Sequence, residues 1–534
     1  MSAYNELNFA GLIGNRAQRQ PQLQVLTVEN GADFPLQTRT YGQLWRNGHA
    51  LAWGLTRLGL RPGDCFALLM ANHAEFVDAM LAAAITGTVF VPIDPRARGD
   101  KLAFFLNNAR CRTVIAADYA LANLLAVREQ LPLLGAVAVL DSGEGVADIA
   151  PREGVLRYEE LLAGEGREHP LNLPGDDAPM QLIFTSGTTG DPKGIVMTHR
   201  RYCETASITD RVFGYRENDR PYSGLSLTHA NAQLVTLGAS LALGLECVLS
   251  RRFTKSRLWD ICRRFGCTSF TLLGGMTTAI YAEPRKPDDA DNPVRFVVSA
   301  GMPKAIWEDF ARRFNVQVLE FYGAAEGGLT INPLGLGPVG SIGKPAPNLR
   351  HRIVDEAGND CAPGDPGELL FQPDDGSAFK VEYFGNPEAS AKKCAGGWLH
   401  MGDVVVADEH GWLFFQYRKG SGIRRNGDFI SSAFIEKAIA ECPEVDDVYV
   451  YGIPAANGVP GEKDVVAAVV PKDYDGFDPQ RVFRACREKL EANFMPSYLQ
   501  VLRQIPKTAS EKPQERFLLE ALQQDRANVH HEAR

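Results

Sequence analysis

A chain of 534 residues is longer than one ordinary hydrophobic core organises, so two or more domains are expected. With 45% apolar and 23% charged residues, the composition is that of a globular protein and excludes disordered and fibrous classes. A net charge of −9 argues against a nucleic-acid partner and offers no basic face to an anionic membrane.

The first twenty residues hold polar and charged positions throughout, without the apolar core of a signal peptide. From Tyr41 the spacing predicts a helix with Leu44, Leu51, Leu55 and Leu58 on one face, stopped by Gly59 and Arg61-Pro62-Gly63-Asp64. Short apolar runs at 65–70, 88–93, 113–116 and 136–140 read as strands, and 75–86 as a connecting helix. This alternation predicts parallel sheets covered by helices. Ten cysteines without a C-x-x-C pair argue against a zinc site or a disulfide framework, and the cytoplasm is the expected compartment.

Residues 182–199 change character twice. Leu182, Ile183 and Phe184 suit a buried strand; then come Thr185, Ser186, Gly187, Thr188, Thr189, Gly190 and, after Asp191-Pro192, Lys193 and Gly194. Glycines let backbone N–H groups approach a ligand closely, and the hydroxyls and Lys193 add donors and charge, the chemistry of a loop that wraps polyphosphate. Ile195, Val196 and Met197 then resume a strand, and no Ser or Thr follows Lys193, so this is not the Walker pattern. The order Thr-Ser-Gly-Thr-Thr-Gly-x-Pro-Lys-Gly resembles the signature loop of the adenylate-forming enzymes: acyl-CoA synthetases, peptide-synthetase adenylation domains and firefly-type luciferases.

Further segments fit that resemblance. The most apolar twenty residues, 230–249, contain Asn231, Gln233 and Glu246 with Gly238 and Gly244, so they read as a buried helix, turn and strand rather than a membrane span. His229 and Asn231 open this stretch beside the expected acyl pocket, and the lack of an acid there favours an acyl acid over an amino acid. Ser299, Ala300 and Gly301 end a strand and would form the adenine-side loop. Tyr322-Gly323-Ala324-Ala325-Glu326 is similar to the family's Tyr-Gly-x-Thr-Glu. The resemblance implies that Tyr322 lies by adenine and that Glu326, with the Thr185 hydroxyl, holds Mg²⁺, a hard cation that takes oxygen ligands. Ala325 replaces a threonine hydroxyl, a single neutral hydrogen bond worth about 0.5–1.5 kcal/mol. Asp403, after Trp398 and Gly402, matches the ribose-binding aspartate, and Arg418 the ribose-contacting arginine. Gly420, Ser421 and Gly422 stand where the family hinges, and Gly427 matches the glycine on the coenzyme A side. Lys512, six residues after Pro506 and four after Thr508, matches the adenylation lysine, with Glu511 in place of a glycine.

What the resemblance implies is an α/β protein. Its large N-terminal domain, 1–420, would hold parallel-rich sheets covered by helices plus a distorted barrel. A small mobile α+β domain, 421–534, would follow a hinge at about 417–423. The implied reaction is ATP-dependent acid–thiol ligation: a small-molecule carboxylic acid becomes acyl-AMP with release of pyrophosphate, and the acyl group passes to coenzyme A. ATP, Mg²⁺ and coenzyme A are the expected cofactors, nucleic acid and membrane insertion are not expected, and a homodimer is left open. Two alternatives remain: loading a carrier-protein pantetheine, or nucleotide binding without catalysis. The closest look is to carnitine/crotonobetaine-CoA ligase-like members, which does not fix the acid. Gly274, Gly275, Gly301, Ala324 and Gly328 at expected pocket walls suggest room for a bulky or ring-bearing acid. The tail from Gln523 onward is expected to be solvated and to fray.

Overall fold

The computed structural model describes residues 4–532 except 32–33, 145–153, 165, 173–174, 186–191, 420–422, 426–427, 431, 457–462, 491 and 509–510. The chain forms two compact units. One comprises residues 1–254, 260–271 and 380–393, and the other 255–259, 272–379 and 394–534.

The first unit is built on a sheet of seven described strands in the order Val155–Arg157, Ala136–Leu140, Thr113–Ala117, Cys65–Leu69, Val89–Ile93, Pro179–Thr185 and Lys193–Thr198. All neighbours pair parallel except the last two, which form an antiparallel hairpin. The central strands are buried along their whole length, as strands covered on both faces must be. The Tyr41–Arg57 helix starts at a capping box. The Thr40 hydroxyl accepts from Gln43 N–H at 3.2 Å, and Gln43 Oε1 accepts from Thr40 N–H at 2.8 Å. Ala74–Thr86 ends at Gly87 with φ +72°, the left-handed stop that glycine makes easy. Fully buried Asn72 ties this sheet to its neighbour. It donates to the carbonyls of Leu225 and Ser250 at 2.8 Å and accepts from Leu227 N–H at 2.7 Å. Residues 230–249 fold as expected: a wide π-type turn Ala232–Gly238, the helix Ala239–Leu243, a left-handed Gly244 and the strand Cys247–Ser250.

In the second unit, Phe296–Ala300 pairs parallel with Gln317–Ala324, which turns back into Gly327–Asn332. Leu349–Val354, Gly367–Pro373, Leu399–Ala407 and Leu413–Arg418 make a four-stranded antiparallel sheet. The C-terminal residues form a further sheet ordered Val445–Pro454, Lys463–Pro471, Tyr498–Val501 and Val529–His530. Two apolar clusters line it, one around Ile435, Ile439, Val482 and Phe483, the other around Tyr451, Ile505 and Leu518. The tail departs from the sequence expectation. Val529–His530 adds an antiparallel edge strand to Tyr498–Val501, Gln480 Nε2 donates to the His531 carbonyl at 2.8 Å, and Arg487 pairs with Glu532. Its polar composition reflects an edge position, where one face meets solvent, rather than fraying. Among the described residues no helix is long and apolar enough to cross a membrane.

Candidate active site

The Gly-rich segment is the connection of a β-hairpin. Thr185 and Lys193 are cross-strand partners closing it. Ser186, Gly187, Thr188, Thr189 and Gly190 lie outside the described residues. The hairpin's outer edge is covered by residues 382–384: Val196 N–H donates to the Glu382 carbonyl at 2.9 Å and Phe384 N–H to that of Gly194 at 2.8 Å. Lys193 is exposed, with its ammonium 5.4 Å from the Tyr383 ring centroid, a cation–π contact that aims a solvated lysine. Tyr383 had no signal in the sequence, being almost two hundred residues distant. In the same unit, His229 is half-buried and its Nδ1 accepts from Asn231 N–H at 3.2 Å. Buried Gln233 donates to the Leu227 carbonyl at 2.7 Å, which fixes the start of the π-type turn.

The second unit brings four distant stretches together. Glu326 occupies the two-residue turn after Ala324, with Ala325. The Tyr322 hydroxyl donates to Asp403 Oδ2 at 2.5 Å, and Arg418, the cross-strand partner of Asp403, lies 3.7 Å from its Oδ1. Burial and the neighbouring Asp403 hold the Tyr322 phenol well above its usual pKa, so it remains a donor. The ladder carries a bulge at Val404/Val405, immediately after Asp403. Beneath it, Glu368 accepts from Gly402 N–H at 3.1 Å and from Lys419 Nζ at 2.7 Å. That acid–lysine clamp was not picked out from sequence, because 51 residues of chain separate Glu368 from Lys419.

Lys512 arrives on a closed turn. Thr508 N–H donates to the Lys512 carbonyl at 2.8 Å, Lys512 N–H donates to Thr508 Oγ1 at 3.2 Å, and Lys507 pairs with Asp447 at 2.5 Å. Glu511 holds φ +58°, a left-handed conformation that explains why the resembled motif has glycine there. The Lys512 side chain is reached by solvent yet crowded by protein. Desolvation, then Arg418, lower its pKa below the ordinary lysine value, while Asp403 and Glu326 oppose them. Arg418, Asp403 and Glu326 therefore all lie within electrostatic reach of Lys512, two cations and two anions in all. Ser299, Ala300 and Gly301 end the strand next to that of Tyr322. Gly420, Ser421, Gly422 and Gly427 lie outside the described residues.

The small residues have packing reasons. A Cβ on Gly274 would stand 2.8 Å from the Gly301 carbonyl oxygen, and one on Gly328 would stand 2.6 Å from the Phe371 ring. At these two positions the protein's own packing already requires a glycine. For Mg²⁺, Glu326 offers a hard carboxylate oxygen at the cluster. Among the described residues no three or more His, Cys, Asp or Glu form a metal cage.

The AMP-binding enzyme model matches residues 14–374, and the AMP-binding enzyme C-terminal domain model matches residues 435–512. The chain belongs to the AMP-binding enzyme family. It is 32% identical over 462 residues to a medium/long-chain-fatty-acid–CoA ligase of Mycobacterium marinum, covering 86% of each chain. It is 31% identical over 519 residues to the steroid-22-oyl-CoA synthetase of Rhodococcus jostii, covering 91% of this chain and 89% of that protein. Long-chain fatty acid transport protein 1 of Rattus norvegicus is 30% identical over 531 residues, covering 93% and 80%. In fold it superimposes on the anthranilate CoA ligase AuaEII with a TM-score of 0.83 at 23% identity, covering 99% of both chains. The chain is an acid–thiol ligase that works through an acyl-AMP, with ATP and coenzyme A as its substrates.

Proposed function

We propose that this ligase activates an apolar carboxylic acid of medium chain length or larger, ring-bearing acids included, and that Lys512 is its adenylation lysine. The observation that carries this reading is the cluster of Lys512 with Glu326, Asp403 and Arg418, drawn from stretches almost two hundred residues apart. The acid class rests on the fatty-acyl and steroid acids named in the relatives.

In the first half-reaction a carboxylate oxygen bonds to the α-phosphorus of ATP, and the bond to the β-phosphate oxygen breaks, releasing pyrophosphate. An anion attacks an anion, so positioning and charge neutralisation carry the catalysis. Lys512 supplies positive charge to the reacting oxygens. The 185–190 loop with Lys193 receives the phosphates, Asp403 accepts from the ribose hydroxyls, Arg418 steadies that corner, and Ser299, Ala300, Gly301, Tyr322, Gly323, Ala324 and Ala325 frame the adenine side. Mg²⁺, held by Glu326 and Thr185, neutralises phosphate charge when bound. His229, Asn231, Gly275, Gly301, Ala324 and Gly328 border the acid.

In the second half-reaction the coenzyme A thiolate bonds to the acyl carbon and AMP leaves with its oxygen. Lys512 must withdraw for this. We assign the joint to Gly420, Ser421 and Gly422, between an N-terminal domain 1–420 and a C-terminal domain 421–534, with Gly427 on the face that then meets coenzyme A. Ten cysteines, none in a disulfide, suit the reducing cytoplasm, where ATP and coenzyme A are supplied.

The test separates the two halves. Lys512→Ala should lower acid-dependent ATP–pyrophosphate exchange by about 10²–10³-fold, as removal of one charge-stabilising donor does. Thioester formation from preformed acyl-adenylate should stay near wild type. An equal fall in both halves removes Lys512 from this role. A panel of carboxylates scored by pyrophosphate release identifies the acid, and activity confined to short polar acids rejects the proposed class.

A further inference from the structure

Glu320 has no task in the reaction above, yet it lies 2% exposed beside the adenine-side loop. Parallel register sets it next to Ser299, where that strand ends. The Gly301 N–H donates to Oε1, and the Met302 N–H donates to Oε2 at 3.1 Å, so one carboxyl group receives two consecutive backbone donors. Among the described residues no Lys, Arg or His forms an ion pair with it. Burial pushes its pKa up to about 8, with the two N–H groups and the Ser299 hydroxyl pulling down. Gly301 holds φ +100° and packs against Gly274, so the turn is a backbone shape that would relax without support. A buried carboxyl group whose two backbone donors are consecutive residues of one turn is placed to hold that turn. Two positions on, Tyr322 engages Asp403, so the same strand face serves both ends of the expected nucleoside.

Resting on the assignment of 299–301 to the adenine side, we propose that Glu320 is a positioning residue for the nucleotide. Clamping the N–H groups of Gly301 and Met302 fixes the loop against which the purine lies, and so sets ATP affinity and base preference without touching ATP.

The test compares wild type, Glu320→Gln and Glu320→Ala by ATP–pyrophosphate exchange with ATP and with GTP, by calorimetric AMP binding, and by melting temperature. A glutamine keeps one acceptor oxygen and turns an N–H₂ toward the other donor. E320Q should raise KM for ATP by about three- to tenfold, the scale of one hydrogen bond, with kcat within about twofold and KM for the acid unchanged. E320A should raise KM for ATP further and narrow the preference for ATP over GTP. An unchanged KM and base preference in E320Q overturns the proposal. So does a parallel loss of ATP affinity, acid affinity and melting temperature, which marks a purely structural residue. If E320A fails to fold, E320Q decides by the same readouts. A wild type that binds AMP but performs no exchange overturns the ligase reading while AMP affinity still decides Glu320; one that does neither overturns both.

Discussion

The ribose corner and the lysine turn hold their charges in different ways. Asp403 and Arg418 face each other across adjacent strands, and Asp403 also accepts from Tyr322, so register and a buried hydrogen bond fix the pair. Lys512 sits on a turn tied by the Thr508 bonds and by Lys507–Asp447, with a strained residue before it. A platform that must present one geometry is built into a ladder. A charge that must come and go is better carried on a small turn whose few bonds are its own.

The largest expected effect breaks the mobile side: Lys512→Ala, whose loss falls on adenylation alone. Next, Asp403→Asn keeps an acceptor for Tyr322 but removes the charge facing Arg418. KM for ATP should rise about ten- to hundredfold, from the roughly 1.5–3 kcal/mol of a charged hydrogen bond, with thioester formation from preformed adenylate also weakened. A D403N enzyme with only its adenylation half impaired would contradict the idea that the platform serves both halves. The lowered pKa of Lys512 sharpens the contrast through pH. The protonated amine is the active form, so kcat/KM for adenylation should fall on the alkaline side at a pH below the ordinary lysine range. Lys512→Arg, charged throughout, should remove that limb, and a limb unchanged in K512R assigns it elsewhere.

Glu320 gives a smaller, stability-based effect. Its folded pKa of about 8 lies above the ordinary glutamate value of 4.5, so the unfolded chain ionises first as pH rises. Its contribution to stability is full below pH 4.5 and lost by about pH 8, with a slope of up to about 1.4 kcal/mol per pH unit. Denaturant titrations of E320Q should show a flatter decline over that window. Smallest is Glu511→Gly, which relieves a left-handed residue and should change stability by under about 1 kcal/mol in the favourable direction while leaving exchange intact. A clear loss would mean that the Glu511 side chain itself matters.

Much of the site was legible because its chemistry is local. A strand, a run of glycines and hydroxyls with a lysine, and a strand again read as a ligand-binding loop between two strands, and Thr185 and Lys193 pair across the strands that flank it. Glu320 was passed over because one acid in the run Val318-Leu319-Glu320-Phe321 looks like an outward-facing strand residue until burial is known. The tail was misjudged for the converse reason: polar residues suit an edge strand as well as a frayed end, and only the neighbouring Tyr498–Val501 distinguishes them.

What the sequence determined by itself was the order of short elements and the identity of each motif, since turn chemistry, capping and strand periodicity act over a few residues. Tertiary structure alone decided that Lys512 comes within electrostatic reach of Asp403, Arg418 and Glu326, that Tyr322 reaches across to Asp403, and that Glu320 is sealed beneath a loop. Those outcomes depend on desolvation and charge at distances in space, which nothing in chain spacing encodes.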